Sequence, residues 1–177
     1  MTELKNSAVN KSTGILKTQN AFIVLVKTEW NSSIVDELEH GCIDELQKQH
    51  VKKIISVTVP GAFEIPFGIM NYWNTSSKKK RPDAFIALGC VQRGDTPHFD
   101  YICRAVTDGV LQLNLRLPVP TIFGVLTVEN EGQARERIGG LQGHKGKEAA
   151  QAALKMISLK SKRRKPVAEG PGSIKDT

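Results

Sequence analysis

The sequence predicts an α/β protein, a three-layer α/β/α sandwich with a four-stranded parallel sheet at its centre. Apolar runs of strand length alternate with amphipathic segments of helical period, which is the pattern of a parallel sheet covered by helices. The apolar runs are continuous, as expected for strands that are buried on both faces. A length of 177 residues, 40% of them hydrophobic, suits one domain with a substantial core.

The first two strands are predicted on either side of one amphipathic segment. Residues 21–28, "AFIVLVKT", form the first apolar run of strand length. Apolar residues at near-helical spacing then predict a helix over 33–49, with Ser32 and Ser33 as candidate N-caps. The run 51–59, "VKKIISVTV", is the second predicted strand.

The next helix and strand are separated by a basic linker. Pro66 fits the first turn of a helix, where no N–H donor is needed, so we predict a helix over 65–74. The segment 74–82, "NTSSKKKRP", is predicted to be the linker, and 83–91, "DAFIALGCV", the third strand.

The last third of the domain repeats the alternation. Its periodicity predicts a helix over 99–115, a fourth strand over 118–128 and a short helix within 130–139. The glycine-rich segment 139–146, "GGLQGHKG", is predicted to be a turn that leads into a final helix over 147–160.

Both ends of the chain lack this periodicity. We therefore expect a flexible N-terminal arm over 1–20, one folded domain over 21–160, and a basic, disordered tail containing Pro and Gly over 161–177.

Charge and cysteine content limit the partners and the compartment. Much of the formal charge of +7 lies in two runs, 76–82 and 159–166, which contain no interleaved aromatics, so nucleic acid is not expected as the primary partner. No apolar run approaches the roughly 18 residues of a membrane span, and the N-terminus lacks the apolar region of a secretory signal. Three cysteines without a C-x-x-C pair fit a reduced, cytoplasmic protein.

Ligands of parallel α/β proteins gather outside the carboxyl ends of the strands. In this chain the rule selects four loops, which are Trp30–Asn31, Pro60–Pro66, Gln92–Asp100 and Glu129–Asn130. We therefore look for the chemistry in these loops first.

The Gln92–Asp100 loop combines an anion site with a proton donor and acceptor. Gly94 allows a close approach of the backbone, Thr96 adds a hydroxyl, and the following helix presents free N–H groups, which together suit a phosphate. His98 at the helix entrance has the right ordinary pKa to transfer protons near neutral pH, although a packing or capping role fits equally well.

Two further features of this region have alternative interpretations. Asp95 is an unfavourable neighbour for a phosphate, and with Arg93 it would form an ordinary surface ion pair. Cys90 at the strand end suggests a cysteine nucleophile paired with His98, but a buried structural cysteine is the commoner case.

Other candidates come from the remaining loops. Glu64 is placed either to stabilise a helix start or to accept hydrogen bonds from a polyol. Trp30 and Phe123 either stack on a flat ring or belong to the core. Arg137 and Lys145 flank a glycine turn and suit a phosphate, but a solvated helix surface accounts for them as well. No His, Cys or carboxylate grouping has metal-ligand spacing.

Four segments resemble, in order, the motifs of the lumazine synthase (6,7-dimethyl-8-ribityllumazine synthase) family: "VPGAFEIP", "ALGCVQRGDTPHFDYI", "IFGVLTVEN" and "ARERIGG…GHKG". The resemblance runs from about Phe22 to Leu159. It implies that the domain over 21–160 is catalytic and condenses 5-amino-6-(D-ribitylamino)uracil with L-3,4-dihydroxy-2-butanone 4-phosphate, the penultimate step of riboflavin synthesis. It also implies a transferase that needs no cofactor and no metal.

The resemblance also implies roles for individual residues. His98 matches the proton-transfer histidine of the family. The positions that match the pyrimidine and ribityl subsites are Trp30, Asn31, Ala62, Phe63, Glu64, Cys90, Val91, Gln92 and Phe123. The positions that match the phosphate subsite are Gly94, Asp95, Thr96, Arg137 and Lys145.

The expected assembly follows from the same resemblance. The family's sites lie between subunits of a pentamer, so we expect a pentamer or a multiple of pentamers, flavodoxin-like layering, and an N-terminal arm that adds a strand to a neighbour. Glu29, Leu141 and His144 depart from residues common in the family. The alternative is a catalytically idle relative that serves as a shell or flavin-binding scaffold.

Overall fold

The computed structural model of the protein describes residues 20–162. The arm predicted over 1–20 lies outside these residues except for its last position. The tail predicted over 161–177 lies outside them from residue 163 onward. None of the helices in the part of the chain that is described has the length and apolar character needed to cross a membrane.

The predicted central sheet is confirmed. All strand pairs within it are parallel, and the spatial order is β2-β1-β3-β4. Its strands are β1 (Phe22–Thr28), β2 (Lys53–Val59), β3 (Ala84–Gln92) and β4 (Thr121–Val128).

Helices cover both faces of the sheet, which confirms the three-layer sandwich. The helices are α1 (Ser32–Lys48), α2 (Ile65–Thr75), α3 (His98–Arg116), α4 (Glu131–Arg135) and α5 (Lys145–Lys162). Successive residues of β1 alternate between two core clusters: Leu25 packs with α1 and α5, and Val24 packs with α2 and α3. Because β1 is buried on both faces, apolar residues follow one another along it without interruption, as predicted for this strand.

Several boundaries differ from the prediction. The strand predicted over 118–128 begins only at Thr121, because Pro118 and Pro120 have no N–H to donate to a ladder. The predicted turn 139–146 contains a small antiparallel pair, β5 (Ile138–Gly140) and β6 (Gly143–His144). The linker 74–82 includes a 3-10 turn at Lys78–Lys80.

The N-cap of α1 was predicted incorrectly. Asn31, rather than Ser32 or Ser33, occupies this position, and its backbone is left-handed with φ 57°. Asparagine adopts this conformation more readily than other residues with a side chain. The side chain of Asn31 makes no cap hydrogen bond, so its amide is available to another partner at the carboxyl end of the sheet.

Helix α3, which begins at His98, packs closely on α2. A Cβ atom at Gly109 would lie 2.4 Å from Cγ of Pro66, so only glycine permits this approach. Val106 and Val110 bury the adjoining face of the helix against the sheet. The entrance of α3 is therefore held at a defined place beside the end of β3.

Candidate active site at the carboxyl edge of the sheet

A cavity of about 470 Å³ opens at the carboxyl ends of β1 and β3. Most of the residues predicted for the pyrimidine and ribityl subsites line it together with His98. The lining residues are Thr28, Trp30, Asn31, Ala62, Phe63, Glu64, Cys90, Val91, Gln92, His98 and Ile102. We call this the edge pocket.

The loop between β1 and α1 is fixed to β3 by an asparagine. The side-chain Nδ2 of Asn31 donates a hydrogen bond of 2.8 Å to the carbonyl of Cys90. The hydroxyl of Thr28 donates to the carbonyl of Trp30 at 3.1 Å. These bonds hold the backbone on both sides of Trp30 while its indole stays 64% exposed at the pocket.

The indole of Trp30 lies against the glycine of the second loop. A Cβ atom at Gly61 would be 2.8 Å from two indole carbons, so a side chain at this position would displace the ring. The N–H of Gly61 donates to Oε2 of Glu64 at 3.1 Å. Glu64 therefore has the structural role considered for it, through one carboxylate oxygen, and also lines the pocket.

The end of β3 contributes backbone rather than a reactive thiol. The side chain of Cys90 packs in the core cluster on the α1 and α5 side of the sheet. Burial raises the pKa of the Cys90 thiol to about 11, which keeps it protonated and weakly nucleophilic near neutral pH. The environment of Cys90 thus disfavours the cysteine-enzyme alternative.

The loop after β3 is organised by an arginine. Arg93 does not pair with Asp95: its guanidinium binds Asp100 at 3.0 and 3.3 Å and Glu129 at 2.8 Å. Hydrogen bonding to Asp100 raises the pKa of Arg93, and the same bonds lower the pKa of Asp100. The predicted phosphate-loop residues Gly94–Thr96 are exposed and do not line the edge pocket.

The remaining predicted residues lie elsewhere on the subunit. Phe123 and Lys145 line a separate cavity of about 320 Å³ between β4 and α5, which we call the β4 cavity. Lys145 pairs with Glu148 at 2.8 Å. Arg137 lies just before β5 and donates from Nη1 to the carbonyl of Gln133 at 2.8 Å. The single subunit does not bring these groups into the edge pocket.

Two lining residues of the edge pocket were missed from the sequence. Thr28 ends β1 and Ile102 lies one turn after His98 on α3. The position of Thr28 two residues before a selected loop, and the helical spacing between His98 and Ile102, were the available signals. Within residues 20–162, no group of three or more His, Cys, Asp or Glu side chains is placed to hold a metal ion.

The fold defines an α/β protein of the open parallel-sheet class, with a cavity at the carboxyl edge of the sheet beside a histidine at a helix entrance. Ligands of this class gather at that edge. Residues 20–161 match the sequence profile of the family described as 6,7-dimethyl-8-ribityllumazine synthase. The chain belongs to this family, whose members are transferase enzymes.

Individual relatives are similar over most of their length. The 6,7-dimethyl-8-ribityllumazine synthase of Porphyromonas gingivalis is 49% identical over 139 residues, which is 77% of this chain and 84% of the relative. The synthase of Parabacteroides distasonis is 46% identical over 139 residues, again 77% and 84% of the two chains. The synthase of Phocaeicola vulgatus is 43% identical over 149 residues, 83% of this chain and 86% of the relative.

Proposed function

We propose that this protein forms 6,7-dimethyl-8-ribityllumazine from 5-amino-6-(D-ribitylamino)uracil and L-3,4-dihydroxy-2-butanone 4-phosphate, and that the reaction takes place at the edge pocket. The observation that carries the assignment is the convergence of three separate loops on one cavity with His98 at its rim. The reaction releases phosphate and water and is the penultimate step of riboflavin biosynthesis.

The pyrimidine and its ribityl chain fit the part of the pocket made by the first three strands. The exposed indole of Trp30 offers a face on which a flat heterocycle stacks. The backbone of Cys90–Gln92 faces the edge of that ring, and Ala62 and Phe63 lie along the ribityl chain. Glu64 accepts hydrogen bonds from the ribityl hydroxyls with the carboxylate oxygen that Gly61 does not use.

The chemistry needs proton transfer and a place for phosphate. One amine of the pyrimidine attacks the ketone, and loss of water gives an imine. Phosphate then leaves, the resulting enol tautomerises, and attack by the second amine closes the ring with loss of another water. His98 accepts and returns the protons of these steps. Gly94–Thr96, Arg137 and Lys145 stabilise the charge of the departing phosphate.

The separation between the edge pocket and the β4 cavity supports a site shared between subunits. We propose a homo-oligomer, a pentamer or a multiple of pentamers, in which Phe123, Arg137 and Lys145 of one subunit complete the edge pocket of the next. Phe123 is 40% exposed, as a residue that reaches a neighbour must be before assembly. We place the enzyme in the cytoplasm, where its free cysteines, Cys42, Cys90 and Cys103, remain reduced.

The decisive experiment is an activity assay on a sample of known mass. The protein is mixed with both substrates, and the absorbance and fluorescence of the lumazine are followed, while light scattering gives the mass of the assembly. We expect product well above the spontaneous rate from an oligomer. An intact oligomer that gives no product above that rate would favour the idle scaffold.

A further inference from the structure

The loop between β3 and α3, residues 93–97, makes few contacts that fix its position. Gly94 has open space where a side chain would point, with no atom within 4 Å. Backbone bonds tie the loop at its two ends, from Arg93 N to Val128 O at 2.9 Å and from Asp100 N to Pro97 O at 3.0 Å. Between these ends Gly94, Asp95 and Thr96 are exposed. An exposed loop with so little packing needs another constraint to hold one conformation.

The side chain of Arg93 supplies such a constraint by spanning the loop. Nη1 and Nη2 donate to both oxygens of Asp100, in the first turn of α3, at 3.3 and 3.0 Å. Nε lies 2.8 Å from Oε2 of Glu129, which follows β4. The guanidinium also stacks on the ring of Phe99, with its central carbon 4.1 Å from the ring centroid. One planar cation therefore joins the end of β3, the start of α3 and the end of β4.

This geometry is specific to arginine. A guanidinium presents donors in several directions within one plane and keeps a flat face for stacking, whereas a lysine ammonium is a single point of charge on a flexible stem. Two carboxylates facing one guanidinium leave the group with a formal negative charge. Arg93 would have to break its ion pairs with both Asp100 and Glu129 before it could bind a phosphate.

We propose that Arg93 is a positioning residue: by holding Asp100 and Glu129 together, it keeps the loop Gly94–Thr96 and the entrance of α3 at His98 in the arrangement that receives the phosphorylated substrate. The inference rests on the proposed function, because it takes this loop to be part of the phosphate subsite. Without the arginine, the loop becomes ordered only when the phosphorylated substrate binds, and the cost of ordering it weakens that binding.

The test measures steady-state kinetics of Arg93→Met, Asp100→Asn and the double variant. Arg93→Met should raise the KM for the butanone phosphate by about tenfold, and Asp100→Asn should raise it by a smaller factor because the link to Glu129 remains. The double variant should be no worse than Arg93→Met, because the contact with Asp100 is already lost in that variant. The KM for the pyrimidine should stay within about twofold, since its subsite is made mainly by the end of strand β3 and by the loops at Trp30 and Glu64, which the side chain of Arg93 does not hold. Arg93→Lys should restore only part of the loss.

The matched control is Arg116→Met, which makes the same charge change at the opposite end of α3 and should leave both KM values as they were. Inorganic phosphate, tested as a competitive inhibitor against the butanone phosphate, should bind more weakly to Arg93→Met and to Asp100→Asn alike. Hydrogen–deuterium exchange over 93–100 should be faster in both variants.

The sign of the Asp100→Asn effect separates positioning from direct binding. If Arg93 were itself a phosphate ligand, freeing it from Asp100 would tighten phosphate binding, and that result would overturn the proposal. Unchanged KM values, with or without a lower melting temperature, would also overturn it. A wild-type protein that forms no lumazine would refute the proposed function instead, so the two failures are distinguishable.

Discussion

The edge pocket and the β4 cavity contain different members of the predicted site. The edge pocket collects the strand-end loops of β1, β2 and β3 around Trp30, Glu64 and His98. The β4 cavity lies between the edge strand β4 and helix α5, and Phe123 and Lys145 are among its lining residues. The first has groups for a heterocycle, a polyol and proton transfer, whereas the second has an aromatic ring and a cation.

The residues of the predicted motifs do not all meet at one cavity within a single subunit. In the order β2-β1-β3-β4, strand β4 is at the edge of the sheet, and its residue Phe123 is 40% exposed and does not line the edge pocket. Edge strands are natural surfaces for another chain. A second copy of the chain is the simplest way to bring the two sets of residues together.

The largest expected effect belongs to the edge pocket. His98→Ala should lower kcat by roughly 10²-fold or more, the usual scale for loss of a general acid–base group. The measurement is lumazine formation at saturating substrates, with His50→Ala as a matched control, because His50 is an exposed histidine at the other end of the sheet. A rate equal to the wild type would remove His98 from the mechanism.

The next effect tests whether the other region takes part at all. Arg137→Met should lower kcat/KM for the butanone phosphate by at least about tenfold, because it removes charge-assisted hydrogen bonds to phosphate. Arg135→Met is the matched control: Arg135 lies on α4, and its Nε donates to Glu131 at 2.9 Å in an exposed pair. Equal losses in the two variants would contradict the role of Arg137.

Mixed oligomers test whether His98 and Arg137 act from different subunits. Co-expressed His98→Ala and Arg137→Met subunits should regain about a quarter of the wild-type activity, because random assembly leaves that share of interfaces with both intact residues. The readout is specific activity of the mixed assembly against each variant alone. Recovery to no more than the mean of the two variants would mean that one subunit supplies both residues.

A smaller effect is expected on the pH dependence of folding stability, through His144, the residue before Lys145. The ring of His144, on β6, packs so closely on Gly41 that a Cβ there would lie 2.0 Å from Cε1. Burial lowers the pKa of His144, with nearby Lys147 adding to the effect and Glu37 and Asp44 opposing it. A folded-state pKa below the ordinary value means that the unfolded chain binds the proton more tightly. The associated stability is therefore present above the ordinary histidine range and declines as pH falls through it.

His144→Asn tests this linkage through thermal unfolding. Between about pH 7.5 and pH 5, the melting temperature of the wild type should fall on the order of 2 °C further than that of the variant. The other three histidines, His40, His50 and His98, are the same in both proteins, so the difference between the two slopes isolates His144. Parallel slopes would show that its protonation does not oppose folding.

The smallest effect is expected at Cys90. Cys90→Ala should keep kcat within about threefold of the wild type, because the thiol is protonated at neutral pH and packs away from the pocket side of the sheet. Cys90→Ser provides a second variant if alanine leaves a cavity. A loss comparable to that of His98→Ala would revive the cysteine-enzyme alternative.

Strand and helix identities were predictable from local pattern, and the failures have local causes. The alternation of continuous apolar runs with amphipathic segments was sufficient for the four strands and the main helices. Proline delayed the start of β4, and the hairpin β5–β6 was too short to show a strand period. The N-cap of α1 was missed because Asn31, Ser32 and Ser33 are adjacent and both residue types are favoured at N-caps, so residue type does not choose between them. The side chain of Asn31 binds the carbonyl of Cys90 instead of capping the helix.

Most of the residues that line the edge pocket were predictable, but their contacts were not. The rule that ligands gather at strand carboxyl ends selected three loops that do meet at the edge pocket. It did not reveal that Arg93 pairs with Asp100 and Glu129 instead of Asp95. Adjacent residues in sequence suggested the nearer carboxylate, but the chain turns into α3 and presents the more distant ones.

Short-range pattern therefore accounts for the elements, their order and the residue types at the strand ends, because periodicity and backbone chemistry act over a few residues. The partners of Arg93, the protonated state of Cys90 and the separation of Phe123 from His98 were decided by packing. Each depends on which strands are neighbours and which strand lies at the edge. These contacts join residues that are far apart in the chain, so a pattern that extends over a few residues cannot predict them.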